Sequence, residues 1–182
     1  IAWGVFAVSG SHFITPEKAI KIQTDIGADI IMALDECTHG ETTKSYAREA
    51  MERTHRWAIR SLKAAQNKKL NIKNTYQKSK IIKYKTDQML FGIVQGGEYR
   101  DLREESARFI SSLPFDGIAV GGVSVGEGKK YMYQVIKWLG PKLPKNKPHY
   151  LMGVGEPEDI VFAVSYGFDM FDCVLPTRLG RH

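Results

Sequence analysis

The stretch Leu90 to Gly121, LFGIVQGGEYRDLREESARFISSLPFDGIAVG, decides the fold. It opens with an apolar run, Leu90 to Gln95, too continuous for a strand with one wet face, so it reads as a strand buried on both sides. Glu98 to Leu113 then has helical spacing, and Phe115 to Gly121 is a second buried run. Strand, helix and strand within about thirty residues make one βαβ unit, with parallel strands and a right-handed crossover.

Working outward, the unit recurs. Ala28 to Asp35, His149 to Val154 and Phe168 to Leu175 are further buried runs, and Trp3 to Val8 is a candidate sixth strand. Thr15-Pro16-Glu17 starts a helix that closes at Gly27, and Thr42 or Thr43 starts a long one ending near Gln66. Gly128 to Leu139 and Glu156 to Tyr166 complete the series, with Gly140 and Gly167 at helix ends. A closed eight-stranded barrel needs roughly 200 residues or more. The 182-residue chain therefore reads as an open α/β sheet or as most of a barrel with units cut from its ends. Every strand stops at small or polar residues: Asp35-Glu36, Gln95 to Gly97, Gly121-Gly122, Gly153 to Gly155, and Asp172. Parallel α/β folds bind ligands at the carboxyl ends of their strands, so the chemistry belongs there.

Composition bounds the answer further. An apolar fraction of 43% buries a real core and excludes intrinsic disorder and a disulfide miniprotein. Cys37 and Cys173 stand far apart with no zinc-knuckle spacing, which suits a reducing cytoplasm. No run of about eighteen apolar residues suggests a membrane span. The net charge of +6 invites a nucleic-acid partner. Yet the stretch 67–88 holds Lys68, Lys69, Lys73, Lys78, Lys80, Lys83 and Lys85 against Asp87 alone, and the rest of the chain is neutral. This stretch reads as a solvated insertion on the rim where the strands start, away from the expected site.

Two phosphate-loop patterns fail. Gly121 to Lys130 lacks P-loop spacing, and Gly153-Val154-Gly155 lacks the third glycine of a dinucleotide fingerprint. The carboxylates say more. Asp35 and Asp172 each follow residues that should be buried, where partners must offset desolvation. With Gln95 beside them, an acceptor carboxylate and a donor-acceptor amide can read the edge of a heterocyclic base. Arg178 and Arg181, three apart after Thr177, suit a phosphate or a guanine edge. The five histidines show no metal spacing.

MALDECT, LFGIVQGG, FDGIAVGGVSVGE, KPHYLMGVGEPEDI and FDMFDCVLPTR, in this order, resemble the bacterial tRNA-guanine transglycosylases, also called queuine tRNA-ribosyltransferases. The likeness covers nearly all of Thr15 to Arg181 outside the lysine-rich stretch. It implies a (β/α)8 barrel of the TIM type, present here as a core segment over residues 1–182. It also implies exchange of the wobble guanine of tRNA for a 7-deazaguanine, preQ1 in bacteria, in queuosine biosynthesis. Asp172 of FDCV is implied as the nucleophile that holds the ribose covalently, a double displacement with net retention. Asp35, Gln95, Gly122 and Val123 are implied to bind the base, with Met152 packed on its face and Tyr150 and Glu127 at the pocket wall. Cys37 and Val125 resemble the bacterial pattern, which favours preQ1 over queuine.

For tRNA, the resemblance implies contacts from Gly153, Val154, Gly155, Glu156, Pro157, Glu158 and Asp159, and from Thr177, Arg178 and Arg181. Glu156 stands where family members commonly carry lysine. The family's DSGGFQ segment, whose aspartate is the general acid/base, is expected before Ile1. Its Cys3His zinc subdomain is expected beyond His182, so no zinc ligand is assigned to this chain. Val5 to His12 reads as a shortened form of a family loop. The expectations that follow are a cytoplasmic homodimer and an isolated chain that is inactive or poorly folded. The alternative is a non-catalytic tRNA-binding or partner subunit of the same fold.

Overall fold

The computed structural model describes residues 3–7, 10–76, 88–123 and 128–180. A hairpin of β1 (Trp3–Ala7) and β2 (Gly10–Ile14) pairs antiparallel and stands apart from the main sheet. This corrects the expectation of a further parallel strand at Trp3 to Val8. Two residues between strands suffice for a hairpin, whereas a parallel crossover takes a dozen or more.

The main sheet contains β3 (Ile30–Met32), β4 (Met89–Val94), β5 (Gly117–Val120), β6 (His149–Leu151) and β7 (Met170–Phe171). All are parallel, and their spatial order is their chain order. A doubly wound sheet reverses its strand order at a switch point; this one never does. Right-handed crossovers that always step the same way put every helix on one face. In agreement, α1 (Pro16–Ile26), α2 (Lys44–Tyr76), α3 (Arg100–Ser112) and α4 (Lys129–Leu139) pack each against the next. The result is an α/β arc compatible with part of a TIM-type barrel. α5 (Pro157–Ser165) and a short α6 (Leu175–Leu179) complete the elements.

Helix starts follow sequence chemistry. Thr15 caps α1 by accepting from the Lys18 N–H, with Pro16 in the first turn and Gly27 beyond the last. Two boundaries differ from expectation. α2 runs ten residues past Gln66, because no glycine or proline interrupts the chain before Tyr76. The first part of the lysine-rich stretch is thus helix; 77–87 lies outside the described residues. The last strand is only Met170–Phe171, and Leu175 belongs to α6 rather than to a strand running on to it.

Side chains alternate across β4. Leu90 and Val94 join the cluster under the helices, with Ile110, Ile118, Val120, Val135, Ile136 and Leu151. Phe91, Ile93 and Gln95 face the other, concave side. The pair Phe91 and Gly117 shows the fit: a Cβ on Gly117 would lie 2.3 Å from the Phe91 ring. Replacing Gly117 with alanine is expected to cost about 2 kcal/mol, measured by chemical denaturation. Adding Phe91→Leu should return most of it; equal losses in the single and double variants would contradict this packing.

Candidate active site

The carboxyl ends of the strands surround one cleft of about 790 Å³. Asp35, Gln95, Gly122, Val123 and Met152 line it, with Gly153 to Glu156, Asp159, Asp172 and Arg178. Cys37 and Cys173 also stand on its wall. Pro157, Glu158 and Thr177 are not lining residues, and the Thr177 hydroxyl is spent on the Val174 carbonyl of its own turn. Arg181, Val125 and Glu127 lie outside the described residues.

Period-two alternation delivers Gln95 to the concave side just past β4, where it is 2% exposed. Its Nε2 donates to Asp35 Oδ2 at 2.6 Å, while its Oε1 has no partner among the described residues. Burial is the main cause that pushes the Asp35 carboxyl above the usual range, and the Gln95 hydrogen bond only partly opposes it. Gly121 and Gly122 leave room for this amide. A Cβ on Gly121 would lie 2.6 Å from Gln95 Nε2, and one on Gly122 would lie 2.8 Å from Oε1. Gly122 also holds φ 61°, a left-handed conformation that favours glycine.

Asp172 sits at the opposite wall. It is exposed on the rim, which corrects the expectation of a buried carboxylate: β7 is too short to carry it inside. Tyr150 Oη and the Gly153 N–H both donate to its Oδ1, each at 2.7 Å. Desolvation and then this acceptor hold the Tyr150 phenol well above its ordinary range, so it remains a donor. Adjacent Glu36, by contrast with Asp35, is committed to structure. It is buried and takes hydrogen bonds from Tyr46 Oη at 2.7 Å and from Arg53.

Position 156 has an unexpected partner. Lys129 Nζ binds Glu156 and also reaches Glu158 at 2.7 Å and Asp159 at 3.5 Å. Its two carboxylate hydrogen bonds raise its pKa well above the lysine range. The first turn of α5 is therefore acidic, with one lysine compensating in part.

The residue that sequence reasoning missed is Arg103. Although completely buried, it faces no carboxylate among the described residues. Its guanidinium donates to the carbonyls of Val94 (3.3 Å), Gly97 (2.8 Å), Gly121 (2.6 Å) and Gly122 (2.5 Å). Tyr131 Oη lies 3.2 Å from Nε and also donates to the Gly97 carbonyl. The available signal was its place on the apolar stripe of α3 beside Leu102, Ala107 and Ile110.

A family model described as queuine tRNA-ribosyltransferase matches residues 5–182. The chain belongs to the queuine tRNA-ribosyltransferase family. A relative of that name from Herpetosiphon aurantiacus is 53% identical over 176 residues, 96% of this chain and 40% of the relative. Those from Neisseria gonorrhoeae and Halothermothrix orenii are 51% and 50% identical, covering 93% and 94% of this chain and 42% and 41% of the relatives. The chain thus spans about two-fifths of the length of the queuine tRNA-ribosyltransferases it matches. Among the described residues no three His, Cys, Asp or Glu side chains converge as a metal site, and no helix is long and apolar enough to cross a membrane.

Asp35 gives a pH test. Its folded-state pKa is raised, so between the ordinary value and the folded one the native state holds a proton that the unfolded chain has lost. Stability contributed by that proton is lost as pH rises through this window. Asp35→Asn should therefore gain stability relative to wild type on going from pH 4 to pH 7. Denaturation at the two pH values checks this; an unchanged difference would contradict it.

Proposed function

We propose that this chain is the core of a tRNA-guanine transglycosylase, which replaces the wobble guanine of tRNA with a 7-deazaguanine such as preQ1. The observation that carries the reading is one cleft bounded by two differently prepared carboxylates. Asp172 is exposed, with both its donors on Oδ1 and none of the described residues bonded to Oδ2. Asp35 is desolvated and paired with a buried amide. The first suits a nucleophile, the second suits reading of a base edge.

In the proposed reaction Asp172 attacks C1′ of the ribose as the C1′–N9 bond breaks. The departing guanine takes a proton at N9 from an acid that the family resemblance assigns outside this chain. The incoming base gives up its proton and attacks the glycosyl-aspartate, and two inversions return the original configuration. Tyr150 and the Gly153 N–H orient the carboxylate throughout. Asp35 and Gln95 take the base edge above the glycine floor, with Met152 on the base face.

Gly153 to Asp159, Thr177, Arg178 and Arg181 are proposed to meet the nucleotides around the extruded base. Lys129 screens the acidic start of α5 from the phosphates. We leave the lysine-rich stretch out of this contact. α2 runs from the cleft rim back toward the start of β4, so the described part of that stretch, 67–76, leads away from the cleft. The domain is read as a partial barrel with 67–88 as an insertion. A structural zinc, a homodimer and a cytoplasmic location complete the proposal for the whole protein.

Incubation with tRNA and a guanine analogue, followed by a denaturing gel, tests the reading. Wild-type protein should form a covalent tRNA adduct that Asp172→Asn loses, with exchange reduced about 10³-fold or more. Undiminished adduct in that variant refutes the nucleophile. Tight tRNA binding with no adduct in wild type would favour a non-catalytic subunit.

A further inference from the structure

Arg103 orders more than the fold. Peptide groups are planar and trans, so each N–H points opposite to its carbonyl, and no cis peptide occurs among the described residues. The carbonyls of Gly121 and Gly122 both point at the Arg103 guanidinium. The N–H groups of the same two peptides, those of Gly122 and Val123, therefore point away from it. On that side lies the cleft, which Gly121, Gly122 and Val123 line and Arg103 does not. Neither N–H donates to any of the described residues.

Gln95 Oε1, a buried acceptor with no partner among the described residues, lies against the same glycine. Unsatisfied donors beside an unsatisfied acceptor in a buried pocket are costly unless a ligand supplies the complement. The complement is a lactam edge, a carbonyl oxygen next to a ring N–H. A cation hydrogen-bonded to the carbonyl end of a peptide polarises it and makes its N–H a stronger donor.

We propose that Arg103 is the positioning residue that gives the cleft its preference for a base carrying a 6-oxo group. It does so by holding the Gly121–Gly122 and Gly122–Val123 peptides with their N–H groups turned to the ligand. This rests on the base-exchange reading and adds to it a residue that never touches the base.

The test compares guanine with 6-thioguanine in the whole protein that carries this chain. The two bases share the N1–H and 2-amino donors, which Gln95 Oε1 and Asp35 would take, and differ at the acceptor facing the two amides. Wild type should prefer guanine by about tenfold or more, as expected for one or two good hydrogen bonds. Arg103→Met should bring that preference close to one while leaving tRNA affinity within about threefold, since none of the groups that Arg103 holds is among those proposed to meet the tRNA. Arg103→Lys keeps a buried cation but lacks the fork that spans two carbonyls. It decides the matter if the methionine variant fails to fold, and its preference should fall as well. A folded variant of either kind with the wild-type guanine preference overturns the proposal while leaving base exchange intact. Absence of guanine binding in wild type defeats the base-exchange reading itself, and this proposal with it.

Discussion

A guanidinium buried with no counter-charge among the described residues is expensive, and Arg103 makes it tolerable by gathering four backbone carbonyls and a tyrosine hydroxyl around itself. Those carbonyls belong to the ends of β4 and β5 and the turns beyond them. Loops that leave parallel strands ordinarily have unpaired polar groups and freedom to move. Here one side chain in the first turn of α3 fixes two of them at once. The glycine floor of the cleft depends on that constraint.

The two rims of the sheet use aspartate for opposite purposes. At the rim where strands begin, Asp116 and Asp169 each take an N–H from the start of the preceding strand, that of Leu90 and that of His149, both at 2.8 Å. Each returns its own N–H to that residue's carbonyl at 2.9 Å. These are closed pairs that set strand register. At the rim where strands end, Asp172 keeps one oxygen free of described partners, and Asp35 is desolvated against a single amide. Closed structural pairs stand at one end and the carboxylates proposed for chemistry at the other, the arrangement expected of a barrel-type sheet.

Much of this was legible in the sequence. Continuous apolar runs separated by capped helical segments gave the five parallel strands, and the residues ending those runs pointed to the cleft. The boundaries were less so. The length of α2 depends on there being no stop signal, and Phe168 to Leu175 leaves the sheet after two paired residues because no further strand pairs with it among the described residues. Trp3 to Ala7 has strand composition, but only pairing tells a hairpin from a parallel strand. Arg103 was illegible for a different reason: its partners are backbone carbonyls, which carry no sequence signature. Glu36 and Asp35 are neighbours in sequence with opposite fates, and only the approach of Arg53 and Tyr46 separates them.

The central claim is that one rim of this sheet forms a base-reading cleft whose floor is Gly121 to Val123. Amide hydrogen exchange of the whole protein with and without guanine tests it most directly. Slowed exchange is expected at 35–38, 93–97 and 121–123 and none at 67–76, the far end of α2. Unchanged exchange at 121–123, or slowing confined to the rim where the strands begin, would contradict it.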